Sequence, residues 1–493
     1  MLFVSTRGKS GTVSSAHAIK EGLAEDGGLF VPRRFPQIAL DDILAMHEKT
    51  YARCATQILA CFLTDYTEEE LQACAEAAYS PEKFGPDPAP LKKVSEFTDV
   101  LELWHGPTMA FKDIALQILP HLMTRAQKKT GDESKIAILT ATSGDTGKAA
   151  LAGFADVPGT EILVFYPENG VSSIQKLQMT TQKGVNTKVF GIRGNFDDAQ
   201  SGVKALFEDE AFAEVLNEKG FQLSSANSIN IGRLVPQVVY YVYAYVKLAD
   251  AGKITMGDEI DFVVPTGNFG NILAGYYAKM IGLPVHRFIC ASNDNNVLYD
   301  FIKTGVYNRK RPFLKTISPS MDILISSNLE RLLYYMSGCN NQYVKELMKQ
   351  LNENGEYRVS DEILAKIQSI FDCGYATNEE TEAVIKMVYE KDHYLLDTHT
   401  AVAYKVMLEQ KDKYPCVVLS TASPYKFTRS VYESLVGNSD EDEFILMKKL
   451  NELSGTPIPN NLKDLDKKAV LHDDVIAKDE MKNYVLAKVD GLY

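Results

Sequence analysis

The chain has 493 residues, a formal net charge of −13 and a hydrophobic fraction of 45%. That length is a prior for about three domains, and that apolar content excludes a disordered chain. The acidic balance argues against a nucleic-acid or anionic-membrane surface and leaves an anionic small molecule open as a ligand.

The opening residues, MLFVSTRGKSG, hold too short an apolar run for a signal peptide. No stretch approaches the length of a transmembrane helix, so a cytoplasmic protein without a membrane partner is expected. The seven cysteines are scattered without a CxxC pair, which suits reduced thiols better than a disulfide framework or a zinc site. No metal is expected.

Residues 1–95 read as an N-terminal domain. GLAEDGGLFVP at 22–32 is a helix end, a glycine turn and an extended piece, and 40–80 is helical in pattern. Four prolines in SPEKFGPDPAP mark 80–90 as a connector. Residues 100–104 (VLELW) suit a mostly buried strand, and HGPT at 105–108 is turn chemistry. An amphipathic helix pattern starts at Ile114, so Lys112 stands at a strand-loop-helix junction behind a small apolar cluster. Desolvated there, a lysine loses its proton more readily and can form a Schiff base; solvated, it is a first-turn residue whose neighbour Asp113 complements the helix N-terminus.

Beyond it, strands at 136–142, 161–166, 187–192 and 221–224 alternate with helices at 148–155, 173–181 and 197–208. Such alternation predicts βαβ units around a parallel sheet. Residues 132–235 are expected to form a small mobile α/β domain, with 96–131 and 236–493 making a large one. One long helix is predicted over 231–248, followed by strand 261–265, helix 272–281 and strand 285–291. From 293 to 390 the pattern is mainly helical, with a solvated basic turn at 308–311. Residues 416–420 (CVVLS) are a late strand, and the charged tail beyond 438 is expected to wrap the surface.

Four loops carry chemistry. Gly267, Asn268, Phe269, Gly270 and Asn271 lie between a strand and a helix, where glycines admit an anion to free amides; the turn is a phosphate cup or a tight packed corner. Ser143, Asp145 and Thr146 lie in TSGDTG, which fails the P-loop pattern because Thr142 and Ala149 stand at its required positions. Hydroxyls and amides at a helix N-terminus there suit a carboxylate, or an ordinary cap. Asn227, Ser228 and Arg233 offer neutral donors and one planar fork, which fit a phosphate ester or serve as capping plus a surface arginine. Thr421 follows a strand directly and faces the crevice where α/β sheets bind ligands. No GxSxG elbow is present between a strand and a helix. His105 and His399 are read as structural.

This set, in this order, resembles the tryptophan-synthase-β-like (fold type II) group of pyridoxal phosphate (PLP) enzymes, and within it the longer form of the threonine synthase family. The matching stretches include STRG at 5–8, 22–32, 105–113, 143–147, FDD at 196–198, 227–233, 267–271, SPSMDI at 318–323 and 421–427. The resemblance implies two parallel-sheet α/β domains plus an N-terminal domain. It implies that Lys112 holds PLP as a Schiff base and acts as the catalytic base, and that residues 267–271 bind the cofactor phosphate. Thr421 would meet the pyridine nitrogen. Asp145 would lie near the cofactor's phenolic oxygen, with Ser143 and Thr146 near the substrate carboxylate. Asn227, Ser228 and Arg233 would grip the phosphate of O-phospho-L-homoserine. Ser423 stands where relatives often have His, and Asp145 where a shorter branch has Asn; an Asp beside an anionic ligand would repel it unless turned away or protonated. The implied reaction is conversion of O-phospho-L-homoserine and water to L-threonine and phosphate, by a chain expected to be a monomer. Rival readings are elimination to 2-oxobutyrate and a serine or threonine dehydratase.

Overall fold

Runs such as IAILTA and DFVVP are apolar on both faces, and such strands are stable where helices cover both sides of a parallel sheet. In the computed structural model, which describes residues 1–9, 11–96, 98–142, 144–411 and 414–491, these runs build two such sheets. Among the described residues no helix is long and apolar enough to cross a membrane.

The chain opens with β1 (Phe3–Ser5), antiparallel to β2 (Phe30–Pro32). Arg7 and Thr6 staple this ribbon to Glu330: Arg7 Nη2 and Nε reach its carboxylate at 2.9 and 3.0 Å, and Thr6 Oγ1 donates to it at 2.6 Å. β3 (Leu91–Lys93) and β4 (Thr98–Glu102) lead to α1 (Lys112–Leu116) and α2 (Leu119–Lys129). The small sheet follows as β5 (Lys135–Ala141), α3 (Asp145–Phe154), β6 (Thr160–Pro167), α4 (Ser173–Thr180), β7 (Thr187–Ile192), α5 (Phe196–Glu208) and β8 (Phe221–Ser224). Then come α6 (Ile231–Leu234) and α7 (Val238–Asp250). β9 (Ile260–Pro265), α8 (Gly270–Met280), β10 (Val285–Ser292), a ribbon of β11 (Val306–Asn308) and β12 (Glu356–Arg358), β13 (Phe371–Tyr375), α9 (Thr398–Leu408) and β14 (Cys416–Ser420) complete the large unit. The chain ends in β15 (Val475–Ile476) and α10 (Met481–Val489).

The large sheet runs β13-β10-β9-β14-β4-β3, parallel except for β3. The small sheet runs β15-β7-β6-β5-β8 and is parallel throughout. One apolar core takes in Phe3, Phe30 and Phe62 of the N-terminal segment together with residues of both sheets, so that segment shares its core with the rest. Ala401, Val402 and Val406 of α9 cover the other face of the large sheet.

Four expectations need correction. The single helix over 231–248 is broken: a 3-10 turn, Val235–Gln237, separates α6 from α7, because Pro236 has no N–H for a helical ladder. The mainly helical stretch 293–390 contributes β13, whose Phe371 to Tyr375 pair in register with Phe288 to Ser292 at the sheet edge. The proline-rich connector holds a short helix, Pro81–Phe84, because a proline fits the first turn of a helix, where its missing N–H has no partner to lose. The tail is expected with the large unit, yet β15 pairs with β7, and α10 buries Met481 and Val485 in one apolar cluster with Phe190 of β7 and Val203 of α5.

Candidate active site

The chemistry-bearing loops all leave the carboxyl ends of strands, where open parallel sheets bind ligands. Lys112 follows β4. Its loop is sewn to the end of β14: Leu103 N–H donates to Ser420 O and Phe111 N–H to Thr421 O, each at 2.9 Å. Buried Asp113 accepts from Thr108 N–H at 2.8 Å and Thr108 Oγ1 at 2.7 Å, so it staples the loop rather than serving only the helix end. Met109 holds a φ of 58°, a left-handed conformation that costs a non-glycine residue about 1–3 kcal/mol and persists where its surroundings hold it.

Lys112 is half-buried in the wall of a cavity of about 680 Å³. Burial strips water from its ammonium and lowers its pKa to about 8; Asp145 opposes this shift, while Lys426 and Arg233 add to it.

The glycine turn follows β9 on the same cavity. None of the N–H groups from Gly267 to Asn271 meets an acceptor among the described residues, and they stand at the positive end of α8. Phe269 adopts a φ of 63° as the cap of α8 and turns its ring into the core, 5.7 Å from that of Phe371. It serves the cup through its backbone. Gly267 is required by space: a Cβ there would lie 2.9 Å from Ser320 O.

After β5, Thr142 Oγ1 accepts from Gly144 N–H at 3.0 Å and Gly147 N–H at 2.9 Å. Gly144 has a φ of 139° and would place a Cβ 2.5 Å from the Gln175 side chain. Ser143 lies outside the described residues. Thr146 and Asp145 line the cavity. Asp145 is ionised and compensated: Lys426 Nζ lies 3.1 Å from Oδ1, Gln175 Nε2 donates to Oδ1 at 3.0 Å and Ser320 Oγ to Oδ2 at 2.8 Å. Burial alone would raise its pKa. The ammonium groups of Lys426 and Lys112 overcome that and hold the carboxyl well below the usual carboxylate range.

After β8, Asn227, Ser228 and Arg233 reach the cavity. Arg233 is buried, donates from Nη1 to Ala226 O at 2.6 Å, and leaves Nε without a partner. No carboxylate pairs with it among the described residues, and burial lowers its pKa to about 10. A buried, uncompensated guanidinium is a waiting anion site. Thr421, after β14, lines the cavity with its hydroxyl free of partners among the described residues.

Among the described residues, all those assigned to the site, apart from the Phe269 side chain, therefore converge. Sequence reasoning missed Lys426, Ser320 and Gln175. His399, read as structural, lines the cavity: its Nδ1 faces Asp397 Oδ2 at 2.9 Å and its Nε2 accepts from Ser320 N–H at 3.1 Å. His105 instead pairs with Glu102 at 2.8 Å and stacks on Trp104. Arg331, fully buried, ties Phe30 O, Asn328 and Ile229 O together behind the third loop. An Asp at a helix end among anion sites was the one signal that a counter-charge such as Lys426 had to exist.

A cavity-facing lysine with lowered proton affinity, beside a cup of free amides, defines the class of lysine-dependent PLP enzymes of the β/α open-sheet kind. Family models agree: residues 2–79 match "Threonine synthase N terminus", 100–421 match "Pyridoxal-phosphate dependent enzyme" and 400–476 match "Threonine synthase, C-terminal". Threonine synthase of Schizosaccharomyces pombe is 37% identical, over 89% of this chain and 90% of its own. Threonine synthase-like 1 of Homo sapiens is 40% identical over 90% of this chain, and the match spans 59% of that protein's length. The crystal structure of PLP-bound threonine synthase from Brucella melitensis superposes with a TM-score of 0.89 at 37% identity, covering 98% of both chains. The chain belongs to the threonine synthase family.

Proposed function

We propose that this chain is a threonine synthase, converting O-phospho-L-homoserine and water to L-threonine and phosphate with PLP held on Lys112. The carrying observation is the convergence of the Lys112 amine, the acceptor-free amides of 267–271 and the uncompensated Arg233 on one cavity.

That donor set fits the cofactor. Lys112 supplies the tethering amine, residues 267–271 the phosphate cup, and Thr421 a hydroxyl toward the pyridine nitrogen. When bound, PLP supplies an electron sink for negative charge developing on substrate carbons. Thr421 is a neutral partner, so it does not fix a proton on the ring nitrogen as a carboxylate would. Once freed, Lys112 takes a proton from the substrate's Cα and then one from Cβ, a role its lowered pKa suits near neutrality. Arg233, Asn227 and Ser228 bind the phosphate that leaves from Cγ. Thr146, at the N-terminus of α3, meets the substrate carboxylate, and Ser143 shares that role. Asp145 stays with Lys426 on the cofactor side.

Residues 132–235 act as a small domain that closes over substrate and excludes bulk water until addition at Cβ. The Lys112 amine, the amides of 267–271 and Arg233 are all supplied within one chain, which supports a monomer as the working unit. The seven unpaired cysteines support a reducing, cytoplasmic setting.

The test is incubation of purified protein with O-phospho-L-homoserine, following threonine, 2-oxobutyrate and phosphate together. Threonine and phosphate in equal amounts support the reading. Phosphate with 2-oxobutyrate makes the chain a phospho-lyase, and no phosphate release overturns the substrate. A visible cofactor band that Lys112→Ala abolishes supports the tether.

A further inference from the structure

Lys426 lies beyond β14, in the 3-10 turn Pro424–Phe427, and its side chain is fully buried. It does not line the cavity. Its ammonium has two described partners: Asp145 Oδ1 at 3.1 Å and Thr108 O at 2.9 Å. One is the first residue of α3, on the small sheet. The other is the carbonyl of the loop that presents Lys112, whose conformation Asp113 and the strained Met109 already fix. Lys426 thus stands where three chain segments meet.

The charges around this junction are few. Lys112 faces Asp145 of α3, Lys426, Arg233 of α6 and its neighbour Asp113. Asp145 faces Lys426 and Lys112, with Ser320 and Gln175 as hydrogen-bond donors. Asp113 and Lys148 also lie within electrostatic reach of Lys426. A buried carboxylate must be paired. Two ammonium groups act on Asp145, and among the described ion pairs it is Lys426 that contacts it. If it committed to Lys112, that amine would stay protonated and be useless as a nucleophile or base.

We propose that Lys426 is a positioning residue: by holding the Asp145 carboxylate at the start of α3, it keeps that charge from closing on Lys112 and leaves the Lys112 amine available. The proposal rests on Lys112 being the reactive amine of the function proposed above. It also accounts for an aspartate, rather than a neutral side chain, among sites for anions. Lys426 and Asp145 enter as a neutral pair, and the pair fixes α3 against the Lys112 loop.

The test reads the Lys112 amine directly. The full-length chain, stripped of cofactor, is labelled with trace acetic anhydride over roughly pH 6–11, and the Lys112 peptide is quantified by mass spectrometry. An opposite charge within a few ångström shifts such a midpoint by about 1–3 units. K426M is expected to raise the Lys112 midpoint by at least about one unit, D145N to lower it, and K426R to keep it near the wild-type value. The K426M shift is expected to be smaller in a D145N background, because there is then no carboxylate to release. A K426M midpoint that is unchanged or lower overturns the proposal, and so does an equal shift in both backgrounds. If K426M alone does not fold, the double variant decides: a midpoint within about half a unit of wild type sustains the neutral pair, and a rise of a full unit overturns it. Whether wild-type protein develops a visible band with PLP is scored separately. Its absence would sink the proposed function while the labelling still judges Lys426.

Discussion

Asn268 Nδ2 donates to Ser228 Oγ across 3.1 Å. The bond joins the turn after β9 on the large sheet to the loop after β8 on the small one. Asn328 braces both: its Nδ2 donates to Ser228 O at 3.3 Å and its N–H to Asn268 O at 3.1 Å. The two anion sites of the proposed reaction are therefore tied together. Accepting from Asn268 leaves the Ser228 proton free to donate into the cavity. Ser228→Ala removes that donor. A hydrogen bond to a charged group contributes about 1.5–3 kcal/mol, so kcat/KM for O-phospho-L-homoserine is expected to fall about 10- to 100-fold with the cofactor band intact. Steady-state kinetics with a parallel spectrum check this. Loss of the band instead would assign Ser228 to the cofactor.

The parallel sheets were legible because their strands are continuous apolar runs, and the loops at their carboxyl ends were legible because glycine, hydroxyl and amide side chains cluster there. Lys426 was not. Its partner Asp145 is far away along the chain, and a lysine two residues past a proline reads as surface. His399 looked like a lone histidine until the fold set the Ser320 N–H against it. β13 and β15 are short edge strands whose pairing partners, β10 and β7, lie far away in sequence. Local pattern carries no information about such partners. The apolar run over 231–248 reads as one helix by pattern alone, and Pro236 within it is what breaks the ladder.

Lys112 has its pKa lowered to about 8 by burial. A lysine adds to an aldehyde only as the free amine. Cofactor uptake by the stripped chain is expected to rise with pH through about 8 and level off above it. Stability follows the same group. Its folded value lies below the unfolded value of about 10.4, so the unfolded chain holds the extra proton between the two. The wild type is penalised at neutral pH and relieved as pH rises from about 8 toward 10. Lys112→Met removes that term, so its stability advantage over wild type in urea is expected to shrink as pH rises. Uptake that is flat from pH 6 upward, at roughly the plateau rate, would show that the amine is not titrating there.

Gly267→Ala tests the cup by volume. The new methyl would meet Ser320 O at 2.9 Å and Ile323 Cδ1 at 3.0 Å. A backbone carbonyl cannot swing aside as a side chain does, so residues 318–323 must shift. Overpacking of this kind costs about 1–3 kcal/mol. PLP affinity, followed by fluorescence titration, is expected to drop about tenfold or more while the fold persists. An unchanged Kd would mean the loop yields without disturbing the amides.

Ile476 is buried in β15, the strand that closes the edge of the small sheet against β7. Gly191 N–H donates to Asp474 O at 2.9 Å and Arg193 N–H to Ile476 O at 3.0 Å, so the tail satisfies an otherwise open edge. Just beyond, Met481 packs where a Cβ on Gly202 of α5 would lie only 2.4 Å from its sulfur. The tail thus runs from the large unit to the outer face of the small one and tethers it. Ile476→Ala removes apolar contacts in a tight site and is expected to cost about 2–4 kcal/mol. Because those contacts sit on the small sheet, amide exchange should accelerate in β7 and α5 while β9 and β10 keep their protection. Equal acceleration in both sheets would show that the two units open together and that the tail is no separate tether.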